Sequence, residues 1–153
     1  MNDLVTSHFI VYKTFAKSLA QQPGSTYTFI SGGSGEESEK GKLWLADASL
    51  VNPSSSAVYG LYHSAFAEFY EHPNLKINQL RIFCWIRPVP DSTFDSSKPN
   101  IELGNDFPGG MVVKMAEKHR SGIYKVVNRE ESVKEIARIE REASAKALKH
   151  DFN

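Results

Sequence analysis

Tyr59 and His63 are the two side chains whose types and spacing are best suited to chemistry. They stand four residues apart in a segment with helical periodicity, so their Cβ atoms would lie about 5–6 Å apart on one helix face. A phenol beside a titratable nitrogen can transfer protons, because a nearby cation can offset the roughly 4 kcal/mol needed to bring a tyrosine pKa from about 10 to about 7. The alternative is an aromatic helix face in a core, shared with Tyr62 and Phe66.

A glycine-rich loop, Gly32–Gly35, follows a predicted strand, where a phosphate-binding loop would lie. Its spacing fits neither nucleotide motif, because Ser38 stands where a dinucleotide fingerprint needs its third glycine and the segment to Gly41 is one residue too long for a P-loop. Three glutamates in the same segment would repel a phosphate: Glu36, Glu37 and Glu39. We therefore expect a surface loop, with a ligand-facing loop as the alternative.

The composition argues against several classes of partner. The 153 residues carry 18 basic and 18 acidic side chains, which removes the electrostatic reason to expect binding to nucleic acid or to an anionic membrane. The longest apolar stretch, Ile82–Ile86, is too short to span a bilayer, and the first residues do not form a signal-peptide pattern. We therefore expect a cytoplasmic protein.

Cysteine and histidine usage predicts neither a disulfide nor a metal site. Cys84 is the single cysteine and lies in an apolar strand without a nearby base in the sequence, which is typical of an inert core thiol. The five histidines show no metal-ligand spacing along any one predicted helix. We expect no bound metal.

The hydrophobic periodicity predicts alternating helices and strands within a single domain, residues 1–153. Helices are predicted at 3–20, 54–70, 111–119 and 130–149, strands at 25–31, 76–86 and 123–127, and loops at 32–53 and 91–110. This order is that of crossover units, so the predicted fold class is α/β, with a partial Rossmann-like, parallel three-stranded sheet and flanking helices. The second strand should be central because it ends in a continuous apolar run. The polar loop 91–110 has a length typical of a lid, and the last helix is charged and solvent-facing.

Three segments together resemble the C-terminal half of a short-chain dehydrogenase/reductase, over roughly residues 4–90. They are TFISGGSGE, SAVYGLYHSAFAEF and LKINQLRIFCWI. In that family a strand leads to a catalytic serine, the next helix carries Tyr-x-x-x-Lys, and the following strand opens with a basic residue, an apolar residue and asparagine. The residues Lys76, Ile77 and Asn78 match that opening. The resemblance places Tyr59 on the catalytic tyrosine and His63 on the lysine.

The resemblance also implies a serine and a cofactor. The family's serine position falls at Gly32, with Ser31 and Ser34 beside it, so the catalytic candidates are Tyr59, His63, Ser31 and Ser34. NAD or NADP is the implied cofactor, with no bound cofactor as the alternative. The family's lysine is a permanent cation, whereas a histidine, with a reference pKa near 6.5, is mostly neutral at pH 7.

The family's glycine-rich first turn, which holds the pyrophosphate, does not occur in this sequence. The resemblance therefore implies a truncated, divergent member of an NAD(P)-dependent oxidoreductase lineage with a degenerate active site, catalytically impaired by itself. One alternative is a protein-interaction or dimerisation module, in which a homodimer or a partner chain covers the open sheet edge. The other is a weak NAD(P)H-dependent carbonyl reductase, with Tyr59 as general acid, His63 assisting it, and Ser31 or Ser34 polarising the carbonyl.

Overall fold

The computed structural model describes residues 2–33, 51–88, 102–117 and 121–128, together with part of 130–141. In chain order the elements are α1 (Asn2–Ala20), β1 (Ser25–Gly32), α2 (Val51–Glu68), β2 (Leu75–Ile82), β3 (Trp85–Arg87), β4 (Glu102–Gly104), α3 (Asp106–Glu117) and β5 (Gly122–Val126). The chain divides into two compact units, Met1–Phe83 with His119–Tyr124 and Cys84–Lys118 with Lys125–Asn153. The expectation of a single domain stays a prediction.

Strands β1, β2 and β5 form a parallel three-stranded sheet in that order, so the predicted α/β class and the central position of the second strand are confirmed. β1 pairs with β2 along its whole length, from Ser25 opposite Leu75 to Gly32 opposite Ile82. A turn joins α1 to β1. In this turn Gly24 has a φ of 79°, a left-handed conformation that glycine adopts without a steric penalty. Within the described residues, β1 is an edge strand.

Aromatic side chains fill the core between the two first helices and the sheet. Phe29 of β1 is fully buried and its ring lies 5.7 Å from that of Tyr12, 4.8 Å from that of Tyr27 and 6.4 Å from that of Tyr62. These centroid distances and tilted geometries are the ones that aromatic pairs favour. Phe29 therefore joins α1, α2 and the sheet into one apolar core.

A polar contact fixes α1 beside α2. The Tyr12 hydroxyl donates a hydrogen bond to Glu68 Oε2 at 2.6 Å, and Lys13 Nζ lies 3.6 Å from the same oxygen. Burial, followed by the Glu68 contact, raises the pKa of Tyr12, so its phenol stays a hydrogen-bond donor at neutral pH. The side of α1 that carries Lys13 therefore faces α2.

The second unit contains a two-stranded parallel sheet, in which Trp85 of β3 pairs with Glu102 of β4. The α3 helix packs on β4, and it buries Met111 and Met115. Asn128 Oδ1 accepts the Glu131 N–H at 2.9 Å, which is a helix N-cap, and the described residues from 130 onward are helical.

The helix and strand boundaries differ from the prediction in three places. The predicted strand 76–86 ends at Ile82, because β1 ends opposite it and β3 pairs in another sheet. The predicted loop 91–110 is wrong for its last residues, which form β4 and the start of α3. Pro108 lies in the first turn of α3, and Pro53 in that of α2, where a missing N–H costs no hydrogen bond, so both helices begin earlier than predicted. Residues 34–50 of the first loop and 142–149 of the charged helix lie outside the described residues.

Among the helices that the structure describes, none combines the length and the apolar character needed to cross a membrane.

We expect the Phe29→Ala variant to lose about 3–5 kcal/mol of unfolding free energy, because it removes a fully buried ring and leaves a cavity. The neighbouring Ile30 is exposed, so Ile30→Ala should lose less than about 1 kcal/mol. Urea denaturation followed by circular dichroism measures both values. Equal losses in the two variants would contradict the assignment of Phe29 to the core.

Candidate functional site

Polar side chains gather where β1 and β2 end. Ser31 of β1 stands opposite Arg81 of β2, and partners in a parallel pair project to the same face of the sheet. Gln79 projects to this face as well, two residues before Arg81, and Tyr59 of α2 lies over the guanidinium. We call Ser31, Tyr59, Gln79 and Arg81 the strand-end cluster. The carboxyl end of a parallel sheet is where ligands bind in open α/β folds.

Hydrogen bonds connect the three strand residues of the cluster. Arg81 donates from Nε and Nη2 to Gln79 Oε1, at 3.1 and 2.9 Å, and Gln79 Nε2 donates to Ser31 Oγ at 3.3 Å. All three side chains are buried. A buried arginine needs such partners, because an uncompensated charge in the interior is costly.

Tyr59 completes the cluster from the helix above. Its ring lies over the Arg81 guanidinium, with Cζ 3.8 Å from the ring centroid, a cation–π distance. Its hydroxyl donates to the Gly32 carbonyl at 2.6 Å, and the residue is only 8% exposed. The phenol therefore already donates to a carbonyl oxygen, which is the contact that a general acid makes with a carbonyl substrate.

The charge of Arg81 also affects the pKa of a second tyrosine, Tyr62. Burial raises the pKa of Tyr62, the Arg81 guanidinium opposes this effect, and Tyr124 adds to it. Two tyrosines of α2 thus share one buried cation.

The predicted pair of Tyr59 and His63 separates into a buried and an exposed residue. Both lie on α2, one turn apart, but Tyr59 faces the sheet and His63 faces solvent. The His63 ring is in edge contact with the Tyr62 ring, with centroids 5.1 Å apart. The structure places Ser31 in the cluster and leaves Ser34 outside the described residues. The catalytic roles of all four residues stay predictions.

Arg81 and Gln79 were not among the sequence candidates, although the sequence holds a signal for both. Polar residues at 79 and 81 share one face of a strand that is predicted to be central and buried. A glutamine and an arginine on such a face must find partners in the fold.

Gly33, the residue that follows β1, lies in close contact with an aromatic ring. A Cβ atom at this position would overlap the Phe83 ring, so only glycine fits without a shift of that ring. Phe83 directly follows β2. The glycine therefore lets the Phe83 ring lie against the end of β1, next to the strand-end cluster.

Asn78 of β2 carries a buried amide that no described residue pairs with. The residue is fully buried, and within the part of the chain that the structure describes neither its Nδ2 nor its Oδ1 has a hydrogen-bond partner. Neighbouring residues of a strand project to opposite faces of the sheet, so Asn78 projects to the face opposite Gln79 and the strand-end cluster. Among the described residues no group of histidine, cysteine, aspartate and glutamate could hold a metal ion.

Comparison with known proteins finds no match to any family model, any curated protein or any solved structure. The function therefore has to be argued from the residues of this chain.

We expect Cys84 to react slowly with iodoacetamide in the folded protein, because burial raises the pKa of its thiol to about 11 and the thiolate is the reactive form. At about pH 8, alkylation should be roughly 100-fold slower than in the same protein unfolded in urea. Mass spectrometry of timed samples measures both rates. Equal rates would show that the thiol is reactive and that its interpretation as an inert core residue is wrong.

Proposed function

We propose that the chain is a divergent short-chain dehydrogenase/reductase-like protein of NAD(P)-dependent oxidoreductase lineage that works as a dimerisation module. The lineage rests on the quoted segments, and the parallel order β1-β2-β5 with a tyrosine-bearing helix between β1 and β2 is consistent with it. The observation that carries the dimerisation role is an exposed apolar stripe on α1.

The stripe consists of Leu4, Val11 and Phe15, which are 40%, 43% and 53% exposed. Their spacing of seven and four residues aligns them along one side of the helix. Tyr12 and Ala16 face the core instead. Large apolar side chains aligned on a surface in this way are typical of a protein–protein contact.

The stripe and β1, the edge strand of the described sheet, lie on the same side of the first unit. The Lys13 side of α1 faces α2, and at 100° per residue the stripe lies on the opposite side of the helix. His8 lies between the core side and the stripe, and its Nε2 is hydrogen-bonded to the Ile30 carbonyl of β1 at 2.9 Å. A partner that packs on the stripe therefore also reaches the edge strand.

We infer that this partner is a second copy of the chain. An apolar stripe can pack on its own symmetry mate in a two-fold dimer, which buries the same residues on both subunits. A net charge of zero means that two copies do not repel each other at long range. A different chain that supplies a strand and a helix would cover the same surface, and the oligomeric state separates the two cases.

We expect the full chain to be a dimer by sedimentation equilibrium, with Phe15→Asp weakening dimerisation by roughly 100-fold because a carboxylate would be buried among apolar groups. Ile10 is the matched control, since it is 57% exposed on the same helix but lies away from the stripe, so Ile10→Asp should stay dimeric.

Both substitutions are at exposed positions, so circular dichroism and urea unfolding of the monomeric form should be unchanged. A wild-type chain that is monomeric at all concentrations would defeat the homodimer proposal. So would an equal effect of the two variants.

The strand-end cluster supports a second candidate, weak NAD(P)H-dependent carbonyl reduction. A bound nicotinamide would supply the hydride. Tyr59 would donate the proton, with His63 assisting and Ser31 or Ser34 polarising the carbonyl. A carbonyl substrate would have to replace the Gly32 carbonyl as the partner of the Tyr59 hydroxyl, and Ser31 would have to release Gln79. We expect slow turnover, because position 63 holds an exposed histidine in place of the family's lysine.

NADH and NADPH fluorescence, titrated with the full chain, tests this candidate. Saturable binding, with carbonyl reduction that Tyr59→Phe abolishes while binding persists, is the expected result. No binding at millimolar cofactor would end the candidate, and turnover that is unchanged in Tyr59→Phe would remove Tyr59 from it.

A further inference from the structure

A charged group from outside its own helix packs against Tyr59. The Arg81 guanidinium lies 3.8 Å from the centre of the Tyr59 ring, and Gln79 Oε1 holds two of its N–H groups. The Tyr59 hydroxyl is bonded at its other end to the Gly32 carbonyl. The ring is thus clamped between the end of β1 and the end of β2.

The same guanidinium supplies a charge that does not titrate. Arginine stays protonated at all pH values at which proteins are folded. Arg81 is 8% exposed, so solvent screens its field much less than that of a surface cation. Its influence is already evident at Tyr62, where it opposes the rise in pKa that burial causes.

We propose that Arg81 is the positioning residue for Tyr59, fixing the ring over the strand ends and providing the permanent positive charge that position 63 lacks. The contact between Arg81 and Tyr59 involves no ligand, so it does not depend on any proposed function. Only the catalytic role of this contact rests on the second candidate function. Among the described residues, the other titratable groups near the contact are Tyr62, Tyr124 and the exposed His63.

Ionisation of Tyr59 in the full chain measures this charge directly. Carbon NMR of ¹³Cζ-labelled tyrosine follows each phenol with pH, and the Tyr59→Phe variant assigns the Tyr59 signal by its loss. We expect Arg81→Met to raise the titration midpoint of Tyr59 by about one pH unit, because it removes an opposite charge from the phenolate. Arg81→Lys keeps a cation and should raise the midpoint less.

Gln79→Glu is the second variant, and it retains the shape of the cluster. A carboxylate at position 79 would still accept both Arg81 N–H groups but would neutralise the guanidinium, so the Tyr59 midpoint should also rise. Lys13→Met is the matched control, because Lys13 lies 5.5 Å from the centre of a different ring, that of Tyr12. It should leave Tyr59 unchanged.

Circular dichroism at each pH shows whether every variant is folded. If Arg81→Met does not fold, Gln79→Glu decides the result. A Tyr59 midpoint that is the same in the wild type and in Gln79→Glu overturns the proposal, as does a wild-type Tyr59 that stays protonated until alkaline unfolding. The experiment uses no cofactor, so failure of the reductase candidate and failure of this inference are distinguishable.

Discussion

The burial of one positive charge at the ends of β1 and β2 governs the arrangement of the polar residues around it. A guanidinium in the interior is tolerated only when hydrogen-bond acceptors surround it in good geometry. Arg81 meets this requirement with Gln79, and Gln79 in turn engages Ser31. The parallel register makes this set of contacts available, because it brings Ser31 opposite Arg81 at the strand ends. The crossover helix then lays Tyr59 over the charge.

Much of the fold could be predicted from periodicity, and the exceptions have a common cause. The helices at 2–20 and 51–68 and the strands at 25–32, 75–82 and 122–126 carry patterns long enough to show their period. β3 and β4 have three residues each, too few for any period, and their pairing is set by a partner that is distant in sequence. The apolar run 82–86 predicted a buried end of the second strand, and this was wrong: Trp85 is 73% exposed and the other four residues are only partly buried. The run also could not show that β1 ends opposite Ile82.

Some residues of the candidate site could be predicted from the sequence, but the contacts between them could not. Helical spacing placed Tyr59 and His63 about one turn apart. Four residues rotate the helix by about 400°, about 40° past a full turn, which is enough for one side chain to face the sheet and the other to face solvent. The cation beside Tyr59 comes from a strand, 22 residues further along the chain, and only the fold brings the two together. The same holds for the α1 stripe, whose exposure depends on which side of the helix packs against α2.

The buried amide of Asn78 lowers the stability of the central strand β2. Its two polar atoms have no partner among the described residues, and a buried group without a partner loses about 1–3 kcal/mol relative to the same group in water. An aliphatic side chain that fits the site would incur no such penalty. Thermodynamic selection for a more durable fold would thus favour an aliphatic residue there, and the carboxamide makes the sheet less robust than its geometry permits.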